Sequence, residues 1–374
     1  MSKLKIGVSG APRGASFLAG MHAYGDRAQI VAVYEPDRRA RDEFAAEAGV
    51  PALEHYDELL ERVDAVIVAS PQHHHVPQAV AALQRGVHVL SEVPAAVSLE
   101  QSRELLAAAR ASDRVYMMAE NYCYSRPNLI VGAMARAGMF GELYFGEGEY
   151  LHEMKGWHTD STGAPTWRHF WQVGRSGNTY PTHSLGPLLQ WFDDRVVAVS
   201  CVGSGRHTDV EHEIDDTVVF SARTSRQALV RIRLDLLSNR PHLMDYYSLQ
   251  GTEGAYEAPR ATGQEPRVYV LGKSPSERWQ SLDEYGDLLP PRYLEVAEGA
   301  GHWGADSFPV RDFIDAVQEG TPPPIDIYSA LDMTLPGLVS EASFYQAGAW
   351  VAVPNPRLWD AGVGTEPGRE APLA

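Results

Sequence analysis

The feature that most restricts the fold is an apolar run that meets a glycine turn at once. Leu4–Ser9 reads "LKIGVS"; Gly10-Ala11-Pro12-Arg13-Gly14 follows, and then "ASFLAGMHAY" has helical character. In such a strand–turn–helix, free backbone N–H groups and the positive end of the helix dipole converge where a pyrophosphate binds. The turn departs from G-x-G-x-x-G, because Pro12 stands at the close-approach position and the loop is one residue short. A second run, Ile30–Glu35, ends in an acid about 20 residues past the loop. A carboxylate there accepts both ribose hydroxyls of NAD and repels the extra phosphate of NADP. Arg38 and Arg39 lie close enough to keep NADP open.

The alternation continues with strands at Asp64–Ser70, Val87–Glu92 and "VYMMAE", and with helices at Pro77–Gly86 and Leu99–Ala111. Repeated βα units predict an α/β fold whose first part is a doubly wound parallel sheet of the Rossmann type. The strand ends Ser70-Pro71 and Glu92-Val93-Pro94 then line the crevice beside the nicotinamide. The run His73 to His75 does not read as a metal site, because adjacent side chains diverge. His75 is taken as a structural or cofactor-contacting residue, and no metal is assigned.

A length of 374 residues exceeds what one core usually holds, so a second domain is expected. From about Arg195 the pattern changes to alternating strands, "VVAVSCVGSG", "DDTVVFSART", "ALVRIRLDLL" and "DYYSLQGTEGAYEA", separated by turn signals. The stretch Glu265–Arg292 reads as an irregular surface excursion, a last helix as Tyr328–Ala347, and the Gly/Pro-rich end, 362–374, as disordered. The net charge of −17 argues against nucleic acid and anionic membranes as partners. No apolar run reaches the ~20 residues of a membrane span. The N-terminus enters a strand at once, so a cytoplasmic location is expected. Cys123 and Cys201 read as buried, reduced thiols.

Two stretches of the second part carry chemistry. In "SGNTYPTHSLGP", Tyr180 and His183 flank a proline that restricts Tyr180 to extended backbone, and a helix begins near His183. Upstream, 152–180 is rich in Gly, Thr, Trp and His, and it sets Lys155, Arg168 and Arg175 against only Glu153 and Asp160. A locally basic, Trp-rich loop in an acidic chain reads as a substrate lid: tryptophans stack on sugar faces and guanidinium groups grip an anion.

Read together, "GVSGAPRGASF", "DAVIVASPQHHHVPQAVAALQRGVHVLSEVP", "GMFGELYFGEGEY" and "GHWGADSFPVRDFIDA" resemble the glucose-fructose oxidoreductase / inositol dehydrogenase family from about Lys3 to about Val353. The resemblance implies a Rossmann domain over 1–123 and, over 124–353, an α/β domain. The second domain has a large, mostly antiparallel open sheet that covers the nicotinamide and often forms a subunit interface. The tail 354–374 stands outside both, and a homo-oligomer, dimer or tetramer, follows as an expectation. Two departures stand out. Val93 replaces the lysine that family dehydrogenases use for proton transfer, and Thr179 stands where they tend to carry an aspartate.

The segments "EVPAAVSLEQ", "MMAENYCYSR", "GEGEYLHEM", "NTYPTHSLGP" and "SLQGTEGAYE" are similar to a branch that tolerates both losses, the NAD-dependent glycoside hydrolases. These include α-N-acetylgalactosaminidases and sulfoquinovosidases. The likeness implies oxidation at sugar carbon 3, proton removal at carbon 2, elimination, water addition and re-reduction. Tyr180 is then the carbon-2 base and His183 a partner at the carbon-3 hydroxyl. NAD contacts are implied at Gly10, Pro12, Arg13, Gly14, Ser16 and Phe17 of the first turn, and at Glu35 and Arg38. Further contacts are implied at Ser70, Pro71, His75, Glu92, Val93, Asn121, Trp167 and Arg168. Substrate contacts fall to Lys155, Trp157, Arg168, Arg175, Tyr124 and His302. The basic loop ranks an anionic small-molecule glycoside, a sulfoquinovoside, ahead of an N-acetylgalactosaminide. A sugar dehydrogenase or epimerase and a non-catalytic NAD-binding regulator are the remaining readings.

Overall fold

A computed structural model describes residues 2–276 and 278–359. The tail expected to be disordered, 362–374, lies outside the described residues. Strands β1 (Leu4–Ser9), β2 (Ala28–Tyr34), β3 (Ala52–Leu53), β4 (Ala65–Val68), β5 (His88–Ser91) and β6 (Tyr116–Met118) form one parallel sheet in the order β3-β2-β1-β4-β5-β6. The order reverses at β1 and β4, which opens a crevice at their C-terminal ends. The strands are apolar runs because helices cover both faces; all four residues of β4 are buried.

Local chemistry sets the helix ends. Asp37 accepts the Ala40 N–H at the start of Arg38–Ala48, and Gly49 closes that helix at φ 67°. Ser98 accepts the Gln101 N–H at the start of Leu99–Ala111. The first helix opens at Ala11, directly after Gly10, one turn earlier than "ASFLAGMHAY" suggested. Pro12 is therefore part of a helical first turn, where a missing N–H costs nothing and its φ is already helical.

The second sheet is built from β7 (Leu143–Leu151), β8 (Val196–Gly203), β9 (Val218–Thr224), β10 (Leu229–Asp235), β11 (Leu243–Gly251), β12 (Gly254–Glu257), β13 (Arg267–Val270), β14 (Gln280–Ser281) and β15 (Val351–Ala352). Its order is β14-β13-β12-β11-β7-β10-β9-β8-β15, antiparallel except for the β10–β7 pair. The stretch Glu265–Arg292, expected to be irregular, supplies β13 and β14. They extend the β11–β12 hairpin by backbone pairing, which alternation over so few residues does not announce.

The helix Thr182–Phe192 lies on the inner face of this sheet, and glycine sets the approach. A Cβ at Gly148 of β7 would fall 2.4 Å from the Ser184 carbonyl oxygen, and one at Gly146 2.9 Å from the Phe192 ring. Two later helices return to the first sheet. Ser307–Glu319 packs against Leu18–Ala23, and Ile327–Tyr345 reaches from β8 to β6 and Leu99–Ala111. These returns place the inner face of the large sheet across the mouth of the Rossmann crevice.

Candidate active site

Tyr180 and His183 meet at the N-terminal end of Thr182–Phe192. The Tyr180 hydroxyl lies 3.0 Å from His183 Nε2, and His183 Nδ1 lies 2.7 Å from Glu120 Oε1. A ring nitrogen facing a carboxylate carries the proton, which leaves Nε2 to accept the phenolic O–H. Glu120, fully buried at the end of β6, also accepts the Tyr122 N–H at 3.1 Å. The Tyr122 ring lies 4.2 Å from the imidazole, tilted by 36°; the Tyr150 ring lies 5.2 Å from it and 5.5 Å from the Tyr180 ring. From behind, the Tyr247 hydroxyl donates to the His183 carbonyl at 2.5 Å. Burial, with Tyr150 and Glu92 adding to it, holds the Tyr180 hydroxyl well above the ordinary phenol range, while Arg168 pulls it the other way. The phenol therefore keeps its proton until a neighbouring acceptor takes it.

Sequence reasoning missed Glu120. It lay inside "VYMMAE" with no role, although an acid at the C-terminal end of a parallel strand faces the ligand crevice. What no pattern gives is its pairing with a histidine 63 positions away.

A second network crosses the crevice floor. Arg13 pairs with Glu92 at 2.6 Å and reaches Asp306 at 3.5 Å. Asp306 also accepts from Asn121 Nδ2 at 2.7 Å and pairs with His302 Nδ1 at 2.9 Å. Burial alone would raise the Asp306 carboxyl, but the His302 hydrogen bond and the Arg13 charge, with Asn121, hold it at about 2. His302 also stands 5.9 Å from the Tyr122 ring.

The dinucleotide residues form a cradle. Gly10 has φ 95°, and a Cβ there would lie 2.4 Å from the Ala69 and Ser70 backbone; a Cβ at Gly14 would lie 2.4 Å from Val8. Glu35 accepts the N–H of Ala11 at 3.1 Å and of Asp37 at 3.0 Å, so its carboxylate sits over the turn. Among the described residues the Asn121 side-chain oxygen is a buried acceptor without a partner. Glu92 and Val93 are buried there too. Ser16 caps the Arg13 carbonyl, Phe17 is buried in the core, and Arg38 is exposed beside Asp42. Ser70 donates to Gln78, and Pro71 opens the short turn Gln72–His74. The three histidines do not all diverge as expected: the His73 and His74 ring centroids lie 4.0 Å apart, and His75 turns away from them. His73 stacks on Trp171, whereas the His75 ring bridges the Ser70 and Pro94 carbonyls and so ties the two crevice loops together.

A family model described as "Glycosyl hydrolase 109, C-terminal domain" matches residues 124–356, and "Oxidoreductase family, NAD-binding Rossmann fold" matches 4–120. The chain belongs to glycosyl hydrolase family 109. A family 109 protein of Solibacter usitatus is 33% identical over 323 residues, covering 79% of this chain and 72% of its own. One from Stenotrophomonas maltophilia is 28% identical over 377 residues, with 83% and 81% covered. Among solved structures, a levoglucosan dehydrogenase in complex with NADH and L-sorbose superposes with a TM-score of 0.79 at 20% identity, over 95% of this chain and all of that one, and shares the fold. This family 109 chain is an NAD-dependent glycosidase carrying an NAD-binding Rossmann domain.

Three of the substrate residues expected from the sequence of this family 109 protein have partners other than Tyr180 and His183 among the described residues. Lys155 is held by the Leu237 carbonyl at 3.0 Å and by Asn239. Arg175 is neutralised by Glu341 at 2.5 Å and donates to the Val97 carbonyl at 2.6 Å. Tyr124 is buried against Tyr293 and Phe308. In each case a closer partner, which only the fold supplies, has taken the polar group or the ring. Arg168 differs. Its guanidinium lies over the Trp157 and Trp167 rings, at 5.2 and 4.4 Å, donates to Gln172, and acts electrostatically on Tyr180 and Tyr150. Trp157 is 52% exposed, an open aromatic face at the rim.

Proposed function

We propose that this family 109 protein hydrolyses sulfoquinovosides by transient oxidation at sugar carbon 3, elimination across carbons 2 and 1, water addition and re-reduction. The observation that carries this reading is the hydrogen-bonded series Tyr180–His183–Glu120, a proton relay where Val93 offers no titratable group. Bound NAD supplies the reversible oxidation of the sugar carbinol, which acidifies the neighbouring C–H. His183 Nε2 accepts the proton of the carbon-3 hydroxyl, and Glu120 on Nδ1 faces the imidazolium that forms. Tyr180 gives up its own proton to solvent before the sugar fills the cleft, with Arg168 favouring the phenolate, and the phenolate then removes the carbon-2 proton while His183 holds that of the carbon-3 hydroxyl. The aromatic walls Tyr122 and Tyr150 exclude water from the pair.

The sulfonated sugar rests on Arg168. Of the three basic groups in the lid, Arg168 lies over the Trp157 and Trp167 rings and donates to the Gln172 side chain, whereas Lys155 is held by the Leu237 carbonyl and Arg175 by the Glu341 carboxylate. Because only one cation remains of the three, an α-N-acetylgalactosaminide is the second reading; its acetamido group asks nothing of that charge. The test incubates the protein with catalytic NAD and either nitrophenyl sulfoquinovoside or nitrophenyl N-acetylgalactosaminide. Sulfoquinovoside turnover without build-up of NADH supports the proposal. Turnover of the galactosaminide alone moves the assignment to the second reading, and stoichiometric NADH would make the protein a dehydrogenase.

A further inference from the structure

Opposite Tyr150, strand β11 carries one residue too many. Leu243 pairs with Leu151 and Tyr246 with Glu149, so Met244 and Asp245 share the place across from Tyr150. Two residues against one make a β-bulge, a device that re-aims a side chain and is frequent next to active sites. Here the partner strand delivers Tyr150 to within ring contact of both Tyr180 and His183. The next turn of the pleat delivers Tyr247, whose hydroxyl holds the His183 carbonyl.

Asp245 is exposed as a residue, yet burial pushes its carboxyl above the usual carboxylate range. It stands across the ladder from Tyr150 and two residues before Tyr247 on β11, which places it on the face of the sheet that carries both tyrosines. Its own backbone N–H opposes that shift in part. Its charge is felt at the hydroxyls of Tyr122, Tyr247 and Tyr256, and Tyr122 is the ring that lies 4.2 Å from that of His183. Arg168 acts instead on Tyr150 and Tyr180. The two charges thus act in opposite senses: Asp245 raises the Tyr122 hydroxyl, and Arg168 lowers those of Tyr150 and Tyr180.

The mechanism above leaves one proton unsupplied. Tyr180 and His183 take protons from the sugar ring, and neither gives one to the departing aglycone. We propose that Asp245 is the acid that protonates the aglycone oxygen and the base that then takes a proton from the incoming water. In the elimination, the pair from the carbon-2 C–H bond forms the double bond between carbons 2 and 1. The pair of the carbon-1–oxygen bond leaves on the aglycone oxygen, which receives the Asp245 proton and departs as an alcohol. In the addition, water oxygen bonds to carbon 1, its proton returns to Asp245, and carbon 2 is reprotonated from Tyr180. A carboxyl raised by burial holds its proton nearer neutrality, as an acid in this position requires. The assignment rests on the glycosidase mechanism.

The experiment compares wild type, Asp245→Asn and Asp245→Glu on nitrophenyl and methyl sulfoquinovosides, with the matching pair of N-acetylgalactosaminides in parallel. Nitrophenolate leaves without help, whereas methoxide needs a proton. Asp245→Asn is expected to lose about 100-fold or more in kcat on the methyl glycoside and less than about 5-fold on the nitrophenyl one. Asp245→Glu is expected to recover part of the methyl-glycoside activity. Equal losses on both leaving groups, or no loss on either, would overturn the assignment while leaving the glycosidase reading intact. Absence of aglycone release by the wild-type protein from every substrate would overturn both.

Discussion

Among the described residues, Glu120 shares one oxygen between the imidazole and the Tyr122 N–H, and its second oxygen is buried without a partner. Removing its charge leaves the packing nearly unchanged but withdraws the group that faces the imidazolium. Glu120→Gln is therefore expected to lower kcat by about 10²- to 10⁴-fold with KM little altered, measured by steady-state kinetics on the substrate that wild type accepts. Tyr180→Phe should abolish incorporation of solvent deuterium at carbon 2 while NAD still binds. Retained exchange would move the base elsewhere. Arg168→Gln should raise KM by about 10-fold or more for a sulfonated glycoside only, in line with loss of a charge-assisted contact, and lower kcat on charged and uncharged glycosides alike, because the Tyr180 phenolate loses a favouring charge. At this scale Tyr180, His183 and Arg168 were legible in the sequence as unusual residues in an unusual loop. Lys155 and Arg175 looked equally eligible, and nothing in their neighbours revealed Leu237 or Glu341 as competing partners.

The loop that carries Tyr180 is held by the last long helix. Gly177 has φ 80°, and a Cβ there would lie 2.7 Å from the Glu341 nitrogen; a Cβ at Gly337 would lie 2.5 Å from the Pro181 ring and 2.7 Å from the Asn178 carbonyl. Asn178 N–H also donates to Ser340 at 2.8 Å. These contacts fix a segment that has neither strand nor helix of its own. Gly337→Ala is expected to cost about 1–3 kcal/mol in unfolding free energy and to lower kcat more than it raises KM, because the clash displaces the loop bearing the base. Chemical denaturation and kinetics on one preparation check both parts. Elements with a period were legible: the helix Leu99–Ala111 stands where its pattern put it, and β1 likewise. The short strands β13 and β14 were not, because their pairing partners, rather than their own residues, make them strands.

Across the whole molecule, several histidines are packed away from water. Burial is the largest cause in lowering His73, His152 and His158, each to about 4, with neighbouring histidines adding to it. Histidine in an unfolded chain titrates near ~6.5. Between these values the unfolded chain binds protons that the folded chain refuses, so stability falls as pH drops from ~6.5 toward ~4 and is flat above. Asp306 adds a separate loss at lower pH: its contribution is complete above ~3.9 and disappears as pH falls through about 2. A series of melting temperatures from pH 8 to pH 4 should therefore show a plateau and then a decline starting near ~6.5. His158→Asn should make the decline shallower. A melting temperature that rises as the pH is lowered over this interval contradicts the packing described for these rings.

Sequence alone determined what depends on neighbours along the chain. Apolar runs, glycine turns and an acid at the right spacing specify the Rossmann half and its cofactor, because each βα unit carries its own periodicity and turn chemistry. The "YPTH" loop likewise displays its reactive groups and the proline that stiffens them. Tertiary structure decided everything that depends on partners remote in sequence. It set Glu120 on His183, gave Lys155 and Arg175 partners remote in sequence, and brought Arg168 within electrostatic influence of Tyr180. The physical reason is that hydrogen bonds and ion pairs act over a few ångströms. Which carboxylate or carbonyl satisfies a given side chain is settled only when the two sheets and the returning helices close on one another.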